Sequence, residues 1–139
     1  MVRRFSRMDT RTTNRQPRGG EFTHSIIGGF FEVYNELGYG LLESVYVAAL
    51  EFELRTRGHF VEREVWADVF YKSQPVARQR LDMVVDRAVV LEVKASEQLP
   101  AFAKRQLLNY LAVTKLELGL VLHFGPEAKV HRLINSARN

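Results

Sequence analysis

Residues Ala88–Ala95 read Ala-Val-Val-Leu-Glu-Val-Lys-Ala, and no other segment limits the fold as strongly. A short, nearly unbroken apolar run is the pattern of a strand covered on both faces, at the centre of a sheet with helices around it. Glu92 and Lys94 interrupt it. Side chains two apart on a strand project from the same face, so both charges enter one layer. Taking an ionised group out of water without a partner costs several kcal/mol. A central strand carrying Glu-x-Lys therefore needs a compensating group or a function.

The rest of the chain supplies the sheet and its cover. After Thr23, a good N-cap, Ile26, Ile27, Phe30, Phe31, Tyr34 and Leu37 recur at helical spacing. Gly38-Tyr39-Gly40 interrupts, and a second helix is expected from about Leu41 to Arg57, stopping at Gly58. From Phe60 the period becomes two. Val61, Val65, Ala67, Val69 and Tyr71 mark a long strand, Lys72-Ser-Gln-Pro75 a turn, and Val76–Val85 a strand alternating at Leu81, Met83 and Val85. A turn near Asp86-Arg87 leads into the central strand. Pro100 opens a helix through Thr114, Leu118–Phe124 reads as another buried strand, and Ala128–Ile134 as a last short one. The order α, α, β, β, β, α, β, β gives an α/β (α+β) domain with a mixed sheet flanked by helices. Phe30, Phe31, Phe52, Phe60 and Trp66 are assigned to the core.

Length and composition bound the function. The 139 residues make one domain, and 46% hydrophobic with 26% charged residues is a globular balance. The chain has no cysteine, which excludes thiol catalysis and Cys-ligated zinc or iron–sulfur sites. No apolar run approaches the roughly 18 residues of a membrane span. Met1–Phe5 leads into polar residues rather than an apolar signal segment, so a soluble, cytoplasmic protein without a membrane partner is expected. The net charge of +4 is uneven: residues 1–20 hold six arginines against one aspartate, the remainder 14 Lys+Arg against 15 Asp+Glu. Residues 1–22 are accordingly expected to be a disordered basic arm and 23–139 the folded domain. The arm reads as a phosphate-tracking tail, a transit-like segment, an over-extended start with Met8 as the alternative, or a plain solvated end. Bulk charge does not establish nucleic-acid binding.

Other polar residues stand in apolar patterns. Asp82 lies between Leu81 and Met83. If 85 pairs with 89 across the turn, 82 falls opposite 92 and two carboxylates face each other. Such like charges repel unless a cation intervenes, and Lys94 is one charge against two. A divalent metal resolves the arithmetic. Glu43 shares a helical face with Tyr46, Val47, Leu50 and Leu54 and is expected to point inward, with Glu53 near the same stripe. Gln106 and Tyr110 are i, i+4 on the helix after Lys94. Oxygen ligands from Asp82, Glu92 and the Val93 carbonyl, with Glu43 added directly or through water, suit Mg²⁺ or Mn²⁺. His24, His59, His123 and His131 show no paired ligand spacing, so zinc is not expected. Two acids, a hard cation and a lysine are the equipment of phosphodiester hydrolysis. The metal acidifies a bound water, and the lysine positions that water and stabilises the developing charge.

Gly40-Leu-Leu-Glu43-Ser-Val-Tyr46 resembles the signature of the GxxExxY proteins, a family of the PD-(D/E)xK superfamily of restriction-endonuclease-like nucleases. Glu36-Leu-Gly38, Arg80-Leu-Asp82, Leu91-Glu-Val-Lys-Ala95 and Gln106-Leu-Leu-Asn-Tyr110 support it, and the resemblance covers about Thr23 to Ile134. A lone Glu-x-Lys is common by chance, but five segments in this order are much more specific. The resemblance implies an α-β-β-β-α-β core, with Glu43 as the first-helix acid, Asp82 as the metal-binding aspartate, Glu92 as the second metal ligand and Lys94 as the catalytic lysine. Gln106 and Tyr110 are similar to the Q-x-x-x-Y element of RecB-type members, which borders the site and contacts substrate. Tyr34 stands where many relatives carry His, and the arm lies outside the family pattern.

The expected function is metal-dependent phosphodiester hydrolysis of nucleic acid, DNA first, with Arg80 on the face of Asp82 as a phosphate contact. Cutting both strands of a duplex from one site would call for a homodimer. The rival readings are a catalytically inactive nucleic-acid-binding or protein-interaction module that retains the nuclease fold. The bland alternatives are a structural ion-pair network for Asp82, Glu92 and Lys94, a satisfied interior acid for Glu43, and a helix–sheet hydrogen bond for Gln106 and Tyr110. On that reading Arg78, Arg80, Lys104 and Arg105 are solvated charges.

Overall fold

The computed structural model describes residues 3–5 and 21–135. In chain order the elements are β1 (Arg3–Phe5), α1 (Glu21–Leu37), α2 (Glu43–Thr56), β2 (Val61–Tyr71), β3 (Gln74–Val85), β4 (Val89–Lys94), α3 (Ala103–Thr114), β5 (Leu118–Phe124) and β6 (Ala128–Ile134). From α1 onward this is the order read from the periodicity. The strands form one sheet in the order β1-β2-β3-β4-β5-β6. β1 runs parallel to β2, β2-β3-β4 is an antiparallel meander, α3 carries the crossover to β5 parallel with β4, and β6 returns antiparallel. Of the expected basic arm, Arg3–Phe5 is the short strand β1 and Glu21-Phe22 open α1. Residues 6–20, with most of the arginines, lie outside the described residues.

The sheet separates two cores. On one face α1 and α2 bury Ile26, Phe30, Tyr46, Leu50 and Leu54 against Met83, Val85, Leu91, Val93, Leu120 and Phe124. On the other, α3 buries Leu107, Tyr110 and Leu111 against Val84, Val90 and Val121. β4 is thus covered on both sides, as its apolar run requires. A methyl group at Gly119 of β5 would sit 2.9 Å from a Leu107 side-chain carbon, so α3 approaches β5 at a position where only glycine fits without displacement. His59 braces the α1 side: Ser25 Oγ lies 2.8 Å from its Nε2 and Asp86 Oδ2 2.7 Å from its Nδ1, joining α1 to the β3–β4 turn. Among the described residues no helix is long and apolar enough to cross a membrane.

Strict alternation fails in the middle of β2 and β3. Val61 and Met83 pack in the α1–α2 core, whereas Val65 and Leu81 pack in the α3 core, although each pair is separated by an even step. Both strands change face together, because the register Arg63↔Met83, Val65↔Leu81 continues without slip. Between those pairs lies Glu64, in the left-handed region at φ 54, with Asp82 opposite it.

Helical and strand spacing assigns five aromatic residues to the core, and three of them are not there. Phe30 is buried, but Phe31, Phe52 and Phe60 are 40%, 73% and 49% exposed. Phe52 lies on the helical face away from Leu50 and Leu54, where angle outweighs hydrophobicity. Trp66 is half-buried beneath the Arg78 guanidinium, 4.9 Å from the ring centroid.

Candidate active site

Gly38 and Gly40 have φ of +74° and +112°, so the chain between α1 and α2 takes turns closed to other residues without strain. Tyr46 fastens that loop. Its ring is buried and stacked on Phe124, with centroids 4.1 Å apart, while its hydroxyl donates to Gly38 O at 2.6 Å and accepts from Leu41 N–H at 3.1 Å. The loop so held delivers Glu43, the first residue of α2, to the end of β4. There its Oε1 accepts the Ala95 N–H at 3.2 Å. The expectation that Glu43 points into the interior is corrected: Glu43 is exposed, although Tyr46, Val47, Leu50 and Leu54 of its stripe are buried. The helix begins at Glu43 rather than Leu41, because Leu42 is extended, and a residue on this first turn lies beyond the packed part of the stripe. The positioning role of Tyr46 was missed. Its signal was a tyrosine in an apolar stripe, which needs a partner for its hydroxyl.

The β3–β4 ladder follows the expected register, Val85↔Val89, Val84↔Val90 and Met83↔Leu91, and then stops. Beyond it β4 keeps pairing with β5 through Glu92↔Val121 and Lys94↔His123. In place of the next ladder bond, Asp82 Oδ2 accepts the Val93 N–H at 2.9 Å. The two strands therefore open where the charged residues stand. Glu92 is buried at 5% exposure and Asp82 half-buried. Lys94 Nζ meets Glu92 Oε2 at 3.2 Å, and Glu92 Oε1 is buried with no hydrogen-bond partner.

The electrostatics follow from this geometry. Burial pushes the Asp82 carboxyl above its ordinary range, against the pull of the Val93 N–H and of Lys94, Arg80 and Arg63. Glu92 is pushed up to about 7, first by burial and then by the charge of Asp82, with Lys94 opposing and Glu43 adding a smaller push. Buried Glu92 and half-buried Asp82 stand near one ammonium, and a proton or a cation on the pair relieves the repulsion between them. Burial, then the charges of Glu92 and Asp82, push the Tyr110 hydroxyl up to about 12, so this residue of α3 faces both acids. Gln106 lies one turn earlier on α3, its buried Oε1 without a partner. Arg80 is exposed, with Nη1 3.5 Å from Glu64 Oε2.

Among the described residues no three His, Cys, Asp or Glu side chains are grouped to hold a metal by themselves. Glu43 is therefore not brought in as a third direct ligand. The set that fits a hard cation is smaller: the partnerless Oε1 of Glu92, Asp82, and a backbone carbonyl such as that of Val93. Mg²⁺ is commonly bound by one or two carboxylates, with waters completing its octahedron, so the residues fit such an ion.

A family model described as the PD-(D/E)XK nuclease superfamily matches residues 20–133. The chain belongs to the PD-(D/E)XK nuclease superfamily. Its mixed sheet with helices on both faces is a restriction-endonuclease-like fold. The crystal structure of SSO0001 has a similar fold, with a TM-score of 0.50 and 18% identity over 86% of this chain and 80% of that one. No curated protein matches the chain. PD-(D/E)XK nucleases typically use divalent metals, and the superfamily acts on nucleic acid in general. In this PD-(D/E)XK domain Lys94 contacts Glu92, the charges of Glu92 and Asp82 act on Tyr110, Gln106 lies one turn before Tyr110 on α3, Glu43 reaches the end of β4 through Ala95, and Arg80 turns to Glu64.

Proposed function

We propose that this domain hydrolyses phosphodiester bonds in DNA, with Mg²⁺ or Mn²⁺ held by Asp82, Glu92 and the Val93 carbonyl. The observation that carries the reading is the opened end of the β3–β4 ladder. There a buried, partnerless carboxylate oxygen of Glu92 lies beside Asp82 and one ammonium. The cation, when bound, would acidify a water and neutralise phosphate charge.

Lys94 orients the attacking water and stabilises the extra negative charge of the transition state. Tyr110 keeps its proton at neutral pH, because its pKa is near 12, and so donates a hydrogen bond to a phosphate oxygen. Gln106 offers its amide beside it, and Arg80 exchanges its long contact with Glu64 for phosphate. Glu43 steadies the end of β4 by holding the Ala95 N–H. The expected setting is the cytoplasm, and one site cuts one strand, so both strands of a duplex would require a homodimer. Plasmid-nicking and oligonucleotide assays with Mg²⁺ or Mn²⁺ test the reading. Asp82→Ala and Lys94→Ala should each lose about 100-fold or more in rate. Activity that survives both substitutions belongs to another site or a contaminant, and retention of nucleic acid without cleavage under either metal identifies a binding module.

A further inference from the structure

Phe102 is the residue immediately before α3, and it is 60% exposed. Its ring is not needed by the core on that side, which Leu107, Tyr110 and Leu111 fill. It lies instead beside the charged cluster, with Lys94 Nζ 5.8 Å from the ring centroid. Lys94 also contacts Glu92 at 3.2 Å, so one ammonium links Glu92 to an exposed aromatic face. On the other side of the end of β4, Leu42, 73% exposed, precedes Glu43. Exposed apolar groups thus border the anionic cluster alongside Arg80, the exposed cation that acts on Asp82. Residues 21–135 hold 13 Lys+Arg against 15 Asp+Glu, so the folded domain has no excess of charge with which to cradle both backbones of a duplex.

We infer that Phe102 is a stacking platform for a nucleobase, and that the substrate presents an unpaired nucleotide at the scissile phosphate: a single strand, a flap or a frayed end. The inference deepens the nuclease reading and rests on it. In a duplex each base face is already stacked on its neighbours and cannot meet a protein ring unless the base is unpaired or flipped. A single-stranded nucleotide has both parts free. Its phosphate goes to Lys94 and to the cation that Asp82 and Glu92 would hold, and its base goes to the ring that Lys94 overlies. Stacking tolerates any base, so the platform by itself asks for no particular sequence.

The full chain is titrated with a short single-stranded oligonucleotide carrying 2-aminopurine and hydrolysis-resistant phosphorothioate linkages, and with the same sequence as a duplex. Wild type should bind the single strand more tightly and quench the 2-aminopurine on binding. Phe102→Ala should weaken single-strand binding by about 5- to 150-fold, the usual range for one base–aromatic stack, and abolish the quench, while Phe102→Trp restores both. Phe102 is exposed and the Trp variant controls for folding. Equal affinity and quench in Phe102→Ala, or a wild-type preference for the duplex, overturns the platform and leaves the nuclease reading standing. Failure of wild type to bind either form, together with failure to cleave the unmodified oligonucleotides under Mg²⁺ or Mn²⁺, overturns the nuclease reading, and the platform with it.

Discussion

Glu92 sets the stability of the fold against the chemistry of the site. Its pKa rises from 4.5 to about 7 in the native state, first through burial and then through Asp82. Between those values the folded protein holds a proton that the unfolded chain has lost. Stability is therefore full below about pH 4.5 and falls as pH rises through 7, by on the order of 3 kcal/mol at about 1.36 kcal/mol per unit. Asp82 is displaced in the same direction and adds to the slope. Calorimetry of the metal-free protein should show the melting temperature falling between pH 5 and 8. Glu92→Gln should flatten that fall and stabilise the protein at pH 8, since a neutral amide replaces a buried charge. Added Mn²⁺ at pH 8 should raise the melting temperature of wild type and not of Glu92→Gln. A wild-type melting temperature that is flat with pH, or an equal response to Mn²⁺, contradicts this account of Glu92. The pair was legible in the sequence because ionisable residues stood inside apolar strands, where burial makes them conspicuous. Glu43 was misplaced for the opposite reason: a helical wheel assigns an angle and not a depth, and its helix starts at that residue.

The individual elements were readable and their twists were not. The three-residue turn Asp86-Arg87-Ala88, with Asp86 and Arg87 at φ 55°, fixes the Val85↔Val89 register, which brings Asp82 toward the Glu92–Val93 stretch. Period-two reasoning assumes that each side chain keeps its face along the strand, and Glu64 breaks that assumption opposite Asp82. Apolar residues are found on both sides of the break, so the pattern shows no gap there. The packing of α3 on β5 is another property that periodicity does not carry, since it depends on a missing side chain at Gly119. Gly119→Ala places a carbon 2.9 Å from Leu107, and β5 is buried along its whole length, so the Leu107 side chain, and α3 with it if the side chain has no room, must shift. The expected cost is about 1–3 kcal/mol, read as a lower denaturant midpoint at unchanged m-value. Because α3 also carries Gln106 and Tyr110, cleavage should fall beyond what the stability loss explains. An unchanged midpoint would mean that the helix accommodates the methyl group freely.

At the scale of the whole molecule, shape and charge are divided. The two cores close both faces of the sheet, and the acidic site stands at the end of β4, where β3 and β4 part and neither core covers it completely. The folded part is close to neutral, while the basic excess sits in residues 1–20. On the nuclease reading proposed above, affinity for a polyanion and chemistry on it would belong to different parts of the chain. Counterion release makes this measurable: each cation that meets a single-stranded phosphate adds about 0.7 to the slope of log K against log salt, and about 0.9 on a duplex. Replacing Arg7, Arg11, Arg15 and Arg18 with glutamine in the full chain leaves β1 and every residue of the acid site intact. Fluorescence titrations across a salt series should then show weaker binding, with the slope reduced by up to that amount per arginine. The cleavage rate at saturating substrate and low salt should stay near that of wild type, since the arm contributes none of the groups placed at the reacting phosphate. A slope unchanged by the four substitutions would assign the phosphate contacts to the folded domain. Arg80 and the cations of α3 would then have to supply them, although the domain as a whole carries no positive excess.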